Sequence, residues 1–407
     1  MYILIINSGS SSIKYQLFPR DSDQPVCSGL VERIGQDNSQ VTHEIFRADV
    51  AQTLKLDQRV KDHETGMQLL AGLLTRKDIA VIADPAQIGT VGHRVVHGGE
   101  TLTEPTIITA DVKAKIKALY PLAPLHNPGH IKGIEVAEKL FPTATQIAVF
   151  DTAFHQTLPE KAFRYAIPDK FYREDGIRVY GFHGISHQYV AGAAMTWLKN
   201  PVAKLITIHL GNGCSMAAVS GGRCIDTSMG LTPLDGLVMG TRSGAIDPSV
   251  LLYLQQQKGY TAEQLTKLLN KQSGMLALTG HNDMRDISRL YHENDPAAKL
   301  AYELYTYRIK KFIGAYTAAL NGLDALVFTA GVGENDALAR ELVCRDMEVF
   351  GIHIDIAKNQ LREKGLRDLS AGGSSARVLV VPTNEELAIA RVCRTLVAEG
   401  HPNLESS

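Results

Sequence analysis

The pattern of apolar and polar positions along the chain predicts alternating strands and helices. Short, mostly apolar runs rich in β-branched residues are typical of strands buried on both faces of a sheet. These runs are Tyr2–Ile6, Gln146–Phe150, Leu205–Ile208, Ala325–Thr329 and Val378–Val381. Stretches with helical spacing lie between them, namely Ala110–Leu119, His130–Leu140, Ser186–Leu198, Ala262–Leu269, Ala297–Leu320 and Glu385–Leu396. This alternation predicts an α/β architecture.

Three of these strands run into turns rich in glycine, serine and asparagine. Their sequences are ILIINSGSSS at the N-terminus and LITIHLGNGCS and ALVFTAGVGEN in the C-terminal half. This weak internal repeat predicts two related halves. Glycine permits positive φ and lets backbone N–H groups approach phosphate oxygens. For any one of these turns, the alternative to phosphate binding is an ordinary hairpin turn that carries polar side chains.

The first turn adds side chains that suit a phosphate or its metal ion. Asn7 offers a carboxamide oxygen for Mg2+ or its waters, and Lys14 is a point-charge partner for phosphate. The chain has no G-x-x-x-x-G-K-[ST] motif. It also has no G-x-G-x-x-G after the first strand with an acidic residue at the expected distance. A P-loop and a dinucleotide-binding fingerprint are therefore disfavoured.

Two arginines and two histidines lie among glycines and other small residues. Arg94 lies in the segment Gly92–Gly99, and Arg242 is followed by Ser243 and Gly244. Such positions suit a guanidinium that binds a planar anion bidentately, although a structural salt bridge is the alternative. His183 and His187 are four residues apart, but H-E-x-x-H is absent. A helix cap or a packing role is therefore favoured over a metal pair, and His183 can donate to developing charge.

Three acidic residues occupy positions with two interpretations. Asp151 closes a predicted strand, where a carboxylate often faces a ligand crevice, but it can also cap a helix. Asp283 lies in a polar turn, and Glu385 either binds Mg2+ or favours a helix N-terminus.

Composition limits the classes of function. The 407 residues suffice for two domains, and a formal net charge of -1 favours neither nucleic acid nor an anionic membrane as partner. Five scattered cysteines without a C-x-x-C pair argue against a disulfide framework or a zinc knuckle. The first residues lack the pattern expected of a signal peptide, and no apolar run reaches the roughly 20 residues that a membrane span needs. We therefore predict a cytoplasmic protein.

Taken together, the motifs resemble those of the acetate kinase family, within the superfamily of acetate and sugar kinases, Hsp70 and actin. The resemblance covers almost the whole chain, with the motifs in order. It rests on ILIINSGSSSIK, VGHRVVHGG, PLAPLHNP, VFDTAFHQTLP, YGFHGISH, HLGNGCS, DTSMGLTPLDGLVMGTRSGAIDP, DMRD, FTAGVGEN and PTNEELAIAR. There are departures: Ser8, Cys214 and Met284 stand where members often carry Cys, Ala, and Phe or Leu.

The resemblance implies an α/β fold of two related domains with a duplicated actin/ribonuclease H-like core and nucleotide in the interdomain cleft. Domain I would comprise residues 1–150 plus 384–407, and domain II residues 151–383. It also implies a homodimer that uses Mg2+, or Mn2+ in its place, with ATP and ADP as co-substrates. No nucleic acid or membrane partner is expected.

The resemblance also assigns residues. Arg94, Asp151, His183 and Arg242 match catalytic positions, and Asn7 and Glu385 match the Mg2+ positions. A small acyl pocket is matched by Arg94, Val96, Leu125, Phe182 and Pro233. Nucleotide-binding positions are matched by Ser12, Lys14, His209, Leu210, Gly211, Asn212, Gly213, Asp283, Met284, Arg285, Gly331, Val332, Gly333, Glu334 and Asn335.

The activity implied is reversible, in-line phosphoryl transfer from ATP to acetate, giving acetyl phosphate. A propionate or butyrate kinase would use the same chemistry with a wider pocket. An actin- or Hsp70-like ATPase would hydrolyse ATP slowly without a small acceptor. A sugar or glycerol kinase would need a hydroxyl acceptor.

Overall fold

The chain forms two compact units in the computed structural model, which describes residues 1–9, 11–47 and 50–400. The first unit comprises Met1–Ala153 and the C-terminal segment that begins at Asn384, and the second comprises Phe154–Thr383. Ser10 of the first glycine turn lies outside the described residues.

The first unit is built on one sheet, with eight strands among the residues described. They are β1 (Tyr2–Ser8), β2 (Ser12–Pro19), β3 (Cys27–Glu32), β4 (Gln40–Arg47), β5 (Val50–Asp57), β6 (Ile88–Val95), β7 (Thr106–Ile107) and β8 (Thr145–Phe150). Their order across the sheet is β5-β4-β3-β2-β1-β6-β8-β7. β1 pairs antiparallel with β2 and parallel with β6, which in turn pairs parallel with β8.

The second unit has its own sheet, with six strands among its described residues. They are β9 (Lys204–Leu210), β10 (Cys214–Ser220), β11 (Arg223–Thr227), β12 (Ala325–Thr329), β13 (Arg367–Asp368) and β14 (Arg377–Val380). Their order is β11-β10-β9-β12-β14-β13. β9 pairs antiparallel with β10 and parallel with β12, which pairs parallel with β14.

The same five-strand core occurs in both units. In the first it is β3-β2-β1-β6-β8, and in the second it is β11-β10-β9-β12-β14. In each core the central strand is β1 or β9. Two antiparallel strands follow it on one side of the sheet, and two parallel strands follow it on the other side. The prediction of two related halves with a duplicated core is therefore confirmed.

Helices flank the sheets in both units. They are α1 (His63–Thr75), α2 (Ala110–Ala118), α3 (Asn127–Leu140), α4 (Glu160–Phe163), α5 (Lys170–Asp175), α6 (Gly184–Leu198), α7 (Pro248–Lys258), α8 (Ala262–Lys271), α9 (Gly274–Thr279), α10 (Met284–His292), α11 (Pro296–Leu320), α12 (Ala330–Asn335), α13 (Ala337–Cys344), α14 (Ile356–Gln360) and α15 (Glu385–Gly400). Short 3-10 turns lie at Pro85–Gln87, Ala153–Thr157 and Glu348–Phe350. No helix among the described residues is both long enough and apolar enough to span a bilayer.

Each sheet contributes to a buried apolar core. In the first unit, Leu4 of β1 and Leu70 of α1 belong to one buried cluster with Val136 of α3. In the second, Leu205 of β9 shares a buried cluster with Val327 of β12. These cores hold the strand ends in fixed positions.

The strands and helices predicted from apolar spacing are confirmed to within a few residues at their ends. Strands β2–β7, β10, β11 and β13 were not predicted, because they are very short or because polar and glycine positions interrupt their apolar runs. The first two glycine turns are hairpin turns, between β1 and β2 and between β9 and β10. The third joins β12 to α12.

Candidate active site

Four polar residues of the first unit meet where parallel strands end. Asn7 lies near the end of β1, Arg94 near the end of β6, and Asp151 directly after β8. Because the carboxyl ends of parallel neighbours share one edge of the sheet, the register brings these side chains together. Glu385 joins them as the first residue of α15. We call Asn7, Arg94, Asp151 and Glu385 the arginine cluster.

Arg94 is the centre of the arginine cluster. Its Nε and Nη2 donate to the two oxygens of Asp151 at 3.0 and 2.6 Å, which is a bidentate pair. Its Nη1 donates to Asn7 Oδ1 at 3.2 Å, and its Nε lies 3.6 Å from Glu385 Oε2. Both carboxylate oxygens of Asp151 thus accept from Arg94, so the helix-cap alternative does not describe this residue.

The arginine cluster holds a buried charge pair. The Asp151 side chain is 2% exposed and that of Arg94 is 18% exposed. Burial raises the pKa of the Asp151 carboxyl, although the adjacent Arg94 guanidinium counteracts the rise. Burial alone would lower the pKa of Arg94, but the carboxylates of Asp151 and Glu385 outweigh burial and raise it. Arg94 is therefore a charged group held in a fixed orientation.

Close packing of α15 positions Glu385. A side chain at Gly92 of β6 would lie 2.8 Å from Cys393 Sγ and 2.9 Å from Ile389 Cγ2, so glycine is required for the helix to approach the sheet. The same helix provides Glu386, whose Oε1 lies 2.9 Å from Lys14 Nζ. Glu386 was not among the predicted site residues. Its adjacency to Glu385 in the NEE triplet was the only sequence signal for it.

The donor set of the arginine cluster suits Mg2+ only in part. Asn7 and Glu385 supply oxygen atoms, the ligand type that Mg2+ prefers. Among the described residues, no group of three or more His, Cys, Asp or Glu side chains is arranged to hold a metal. Mg2+ is commonly held by one or two protein oxygens together with substrate phosphates. The cluster therefore fits an ion that arrives with a nucleotide.

His183 of the second unit has a strained backbone directly before α6. Its φ of 56° and ψ of 25° place it in the left-handed region, and its side chain makes no capping hydrogen bond to the helix. Non-glycine residues in this region cluster at functional sites. Its ring stacks on the ring of His209 with centroids 4.2 Å apart. His187, one turn further along α6, is fully buried, as expected for a packing role.

Arg242 lies in a loop that rests on the β9–β10 turn. The N–H of Gly240 donates to the Asn212 carbonyl at 3.1 Å, which joins the loop to the turn. A side chain at Gly213 would lie 3.4 Å from both Arg242 Nη1 and His183 Nε2. The guanidinium and the imidazole therefore border the same small space above Gly213.

Arg242 has no carboxylate partner among the described residues, in contrast to Arg94. Its Nη1 donates to the Pro233 carbonyl at 3.0 Å. Burial lowers the pKa of its guanidinium, and only the Cys214 thiol opposes that shift. A half-buried cation without a counter-charge is costly unless an anion binds beside it.

The three predicted nucleotide-binding segments of the second unit converge on one cavity of about 1140 Å³. Residues that line it from these segments are Gly211, Asn212, Asp283, Met284, Arg285, Gly331, Val332, Glu334 and Asn335. His209, Leu210, Gly213 and Gly333 belong to the same segments but do not line the cavity wall. The lining combines glycine turns with polar side chains, as a phosphorylated ligand requires.

Part of the cavity wall was not predicted. The segment from Asn359 to Lys364 lines it, as does the buried Arg340. Arg340 donates to the Gly333 carbonyl at 2.9 Å and to Asn359 Oδ1 at 2.8 Å, so it ties the third glycine turn to this segment. No local motif identifies these residues, because their role depends on contacts across the fold.

The other predicted site residues fall in both units. Ser12 and Lys14 belong to β2, and Lys14 is paired with Asn7 in the β1–β2 register. Val96 is buried and Leu125 is exposed in the first unit. Phe182 is buried in the second unit, where the Pro233 carbonyl accepts from Arg242. The acyl pocket predicted from Arg94, Val96, Leu125, Phe182 and Pro233 stays a prediction.

The chain is similar over nearly its whole length to a family profile, to characterised sequences and to solved structures. A sequence profile described as Acetokinase family matches residues 2–391. The chain is 52% identical over 390 residues to the acetate kinase of Flavobacterium johnsoniae, covering 96% of this chain and 98% of that protein. The crystal structure of Porphyromonas gingivalis acetate kinase matches with a TM-score of 0.90 at 41% identity, over 97% of this chain and 99% of that one. A propionate kinase from Francisella tularensis matches with a TM-score of 0.89 at 43% identity, with the same coverage.

Proposed function

The chain belongs to the acetokinase family, and from this premise we propose that it catalyses the reversible, ATP-dependent phosphorylation of acetate to acetyl phosphate. The reaction is a direct in-line transfer of the γ-phosphoryl group to a carboxylate oxygen. The nucleotide binds in the cavity lined by the three segments of the second unit.

The observation that carries this proposal is the bonding of Asp151. Both of its carboxylate oxygens accept from Arg94, so it orients an arginine and is poorly placed to remove a proton. A kinase that acts on a hydroxyl group needs such a base. A small carboxylic acid, with a pKa of about 4 to 5, is already ionised at neutral pH and needs none. The bonding of Asp151 therefore favours a carboxylate acceptor.

The main obstacle to transfer is electrostatic, because an anionic acceptor must approach an anionic phosphoryl group. Arg94, oriented by Asp151, would bind the carboxylate of acetate. Arg242, which lacks a carboxylate partner among the described residues, would bind the phosphoryl group as charge develops. His183, beside the same glycine, would donate to a phosphoryl oxygen. Positioning and charge neutralisation account for catalysis without a covalent intermediate.

Asn7 and Glu385 would hold Mg2+, which neutralises charge on the nucleotide phosphates when bound. Lys14, held by Glu386, and Ser12 would contact the phosphates from β2. The glycine turns at Gly211–Gly213 and Gly331–Asn335 would bind them through backbone N–H groups, with Asp283–Arg285 on the nucleoside side.

A hydroxylamine assay tests the proposed function. The protein is mixed with ATP, Mg2+ and hydroxylamine, and with acetate, propionate, butyrate or glycerol in parallel. Acyl phosphates form coloured hydroxamates, so we expect a signal with acetate and none with glycerol. Release of ADP in every mixture without hydroxamate would contradict the proposal and favour an ATPase or a hydroxyl kinase.

Propionate kinase is the second candidate function, because a propionate kinase structure matches about as well as an acetate kinase structure. Val96 follows β6 and is buried, with 8% of its surface exposed. We propose that its side chain narrows the acyl pocket and favours acetate. Propionate should then be a poorer substrate, because one methylene is worth about 1–3 kcal/mol in such a pocket.

Substitution of Val96 by Ala should widen the pocket. We expect the ratio of kcat/KM for propionate to that for acetate to rise about tenfold. Val112→Ala is a control, because Val112 is equally buried on α2 and lies outside the predicted pocket. An unchanged ratio in Val96→Ala, with both variants folded, would remove Val96 from the specificity assignment.

Two further properties remain proposals. A homodimer is supported by α7, which has no buried residues although it carries Leu252 and Tyr253, both more than half exposed. Such apolar exposure is typical of a surface that another subunit covers.

A cytoplasmic location is supported by the five buried free cysteines, since thiols persist in a reducing compartment.

A further inference from the structure

A chain of hydrogen bonds inside the second unit leads from the sheet to His183. Thr207 Oγ1 lies 2.7 Å from His187 Nδ1, and His187 Nε2 lies 2.7 Å from Ser215 Oγ. Ser215 Oγ lies 2.9 Å from His183 Nδ1. Thr207 is on β9, Ser215 on β10 and His187 on α6, and all three are fully buried. We call these four residues the hydroxyl–imidazole chain.

The direction of the hydrogen bonds is limited by the number of protons. Ser215 has one hydroxyl proton and two imidazole nitrogens as neighbours, so it donates to one and accepts from the other. His187 has a single N–H, because burial and the nearby rings of His155 and His209 lower its pKa well below the usual value. The direction at Ser215 therefore determines the direction along the whole chain.

The role proposed for His183 selects one direction. Its Nε2 borders the same space above Gly213 as Arg242 Nη1. A second positive charge on the His183 ring would be repelled by Arg242, so the ring is neutral. A neutral imidazole can donate to a phosphoryl oxygen from Nε2 only if its Nδ1 carries no proton.

We propose that Ser215, His187 and Thr207 are positioning residues that hold His183 as the neutral Nε2–H tautomer. Ser215 donates its proton to His183 Nδ1 and accepts from His187 Nε2–H. His187 Nδ1 then accepts from the Thr207 hydroxyl. That hydroxyl has a second acceptor within reach, the Ala217 carbonyl at 3.4 Å, but His187 Nδ1 at 2.7 Å is much nearer. Every donor and acceptor along the chain is satisfied, which a buried polar network requires.

This inference rests on the proposed function, because donation from His183 Nε2–H to the phosphoryl group is what selects the tautomer. A neutral imidazole that donates a hydrogen bond from Nε2 to the substrate does not have to be protonated first. The site therefore keeps its hydrogen-bond donor while the ring is neutral. The strained backbone at His183 is consistent with a ring that must be held in one orientation.

Nitrogen NMR of the full-length protein with 15N-labelled histidine side chains tests the tautomer directly. The His183 signals are identified by their absence in His183→Gln. We expect Nε2 of His183 to be of the protonated type and Nδ1 of the unprotonated type at neutral pH. The opposite pattern would overturn the proposal, whether or not the protein phosphorylates acetate.

Variants extend the test from the tautomer to catalysis. Ser215→Ala should give a mixture of His183 tautomers and lower kcat about tenfold, with little change in KM. Ser215→Thr keeps the hydroxyl and should restore both readouts. Ser228→Ala is the matched control, because Ser228 is also buried but bonds the backbone N–H of Met216 at 2.8 Å.

The outcomes separate the tautomer proposal from the proposed function. Unchanged His183 signals in folded Ser215→Ala, or the same change in Ser228→Ala, would overturn the tautomer proposal. If Ser215→Ala does not fold, the spectrum of the unmodified protein decides alone. Failure of the hydroxylamine assay with the unmodified protein would instead refute the proposed function.

Discussion

Replacement of Arg242 by alanine should lower kcat for acetyl phosphate formation about a thousandfold. Arg242 is a half-buried guanidinium without a carboxylate partner in the described structure, and it borders the space above Gly213 together with His183. Charge that develops on the transferring phosphoryl group would be stabilised there more strongly than charge on the ground-state substrates. The loss should therefore appear mainly in kcat, with smaller changes in KM.

Two further variants make this prediction specific. Arg242→Lys keeps the positive charge but loses the bidentate fork, so it should recover only part of the activity. Arg308→Ala is the matched control, because Arg308 is a half-buried arginine of the same unit that donates to the Ala245 carbonyl at 3.4 Å. Near-normal turnover of folded Arg242→Ala would refute the central role given to this residue.

Replacement of Arg94 by methionine should reduce both stability and activity. The substitution leaves the buried Asp151 carboxylate without its bidentate partner. Breaking a buried ion pair from one side costs about 3–5 kcal/mol of unfolding free energy. Turnover should fall by orders of magnitude, because no other group of the arginine cluster carries positive charge. Urea denaturation measures the first effect, and the hydroxylamine assay measures the second.

The double variant Arg94→Met with Asp151→Asn separates these two effects. Removing both charges should restore much of the unfolding free energy, since no uncompensated carboxylate remains at position 151. Activity should stay low, because the guanidinium proposed to bind acetate is still missing. If the double variant is no more stable than Arg94→Met, the buried pair is not the source of the instability. Arg289→Ala, which breaks an exposed pair with Glu293, should change stability far less.

Arg94 and Asp151 illustrate what could be predicted locally. Asp151 closes a predicted apolar strand, and the ends of parallel strands meet at one edge of a sheet. Arg94 was identified instead by the glycines around it, because its own strand, β6, was not predicted. Lys14 and Glu386 illustrate the opposite case, because one lies on β2 and the other on α15, and only the packing of that helix brings them within 2.9 Å.

The cavity of the second unit shows the same division. Its glycine turns were visible in the sequence, because in each case an apolar run is followed directly by small residues. The wall formed by Asn359–Lys364 and the tie made by Arg340 were not visible. A buried arginine bonded to carbonyl and carboxamide oxygens has no sequence pattern of its own.

The sequence by itself determined the family, the alternation of strands and helices, the duplicated core and the segments that form the candidate site. These features depend on local spacing and on motifs that act over a few residues. Only the tertiary structure decided which arginine is paired with a carboxylate, which segments share a cavity, and how His183 is connected to Ser215, His187 and Thr207. The physical reason is that burial, charge pairing and the direction of a hydrogen bond depend on neighbours from other strands and helices. Strand register and helix packing select those neighbours, and both are properties of the folded chain.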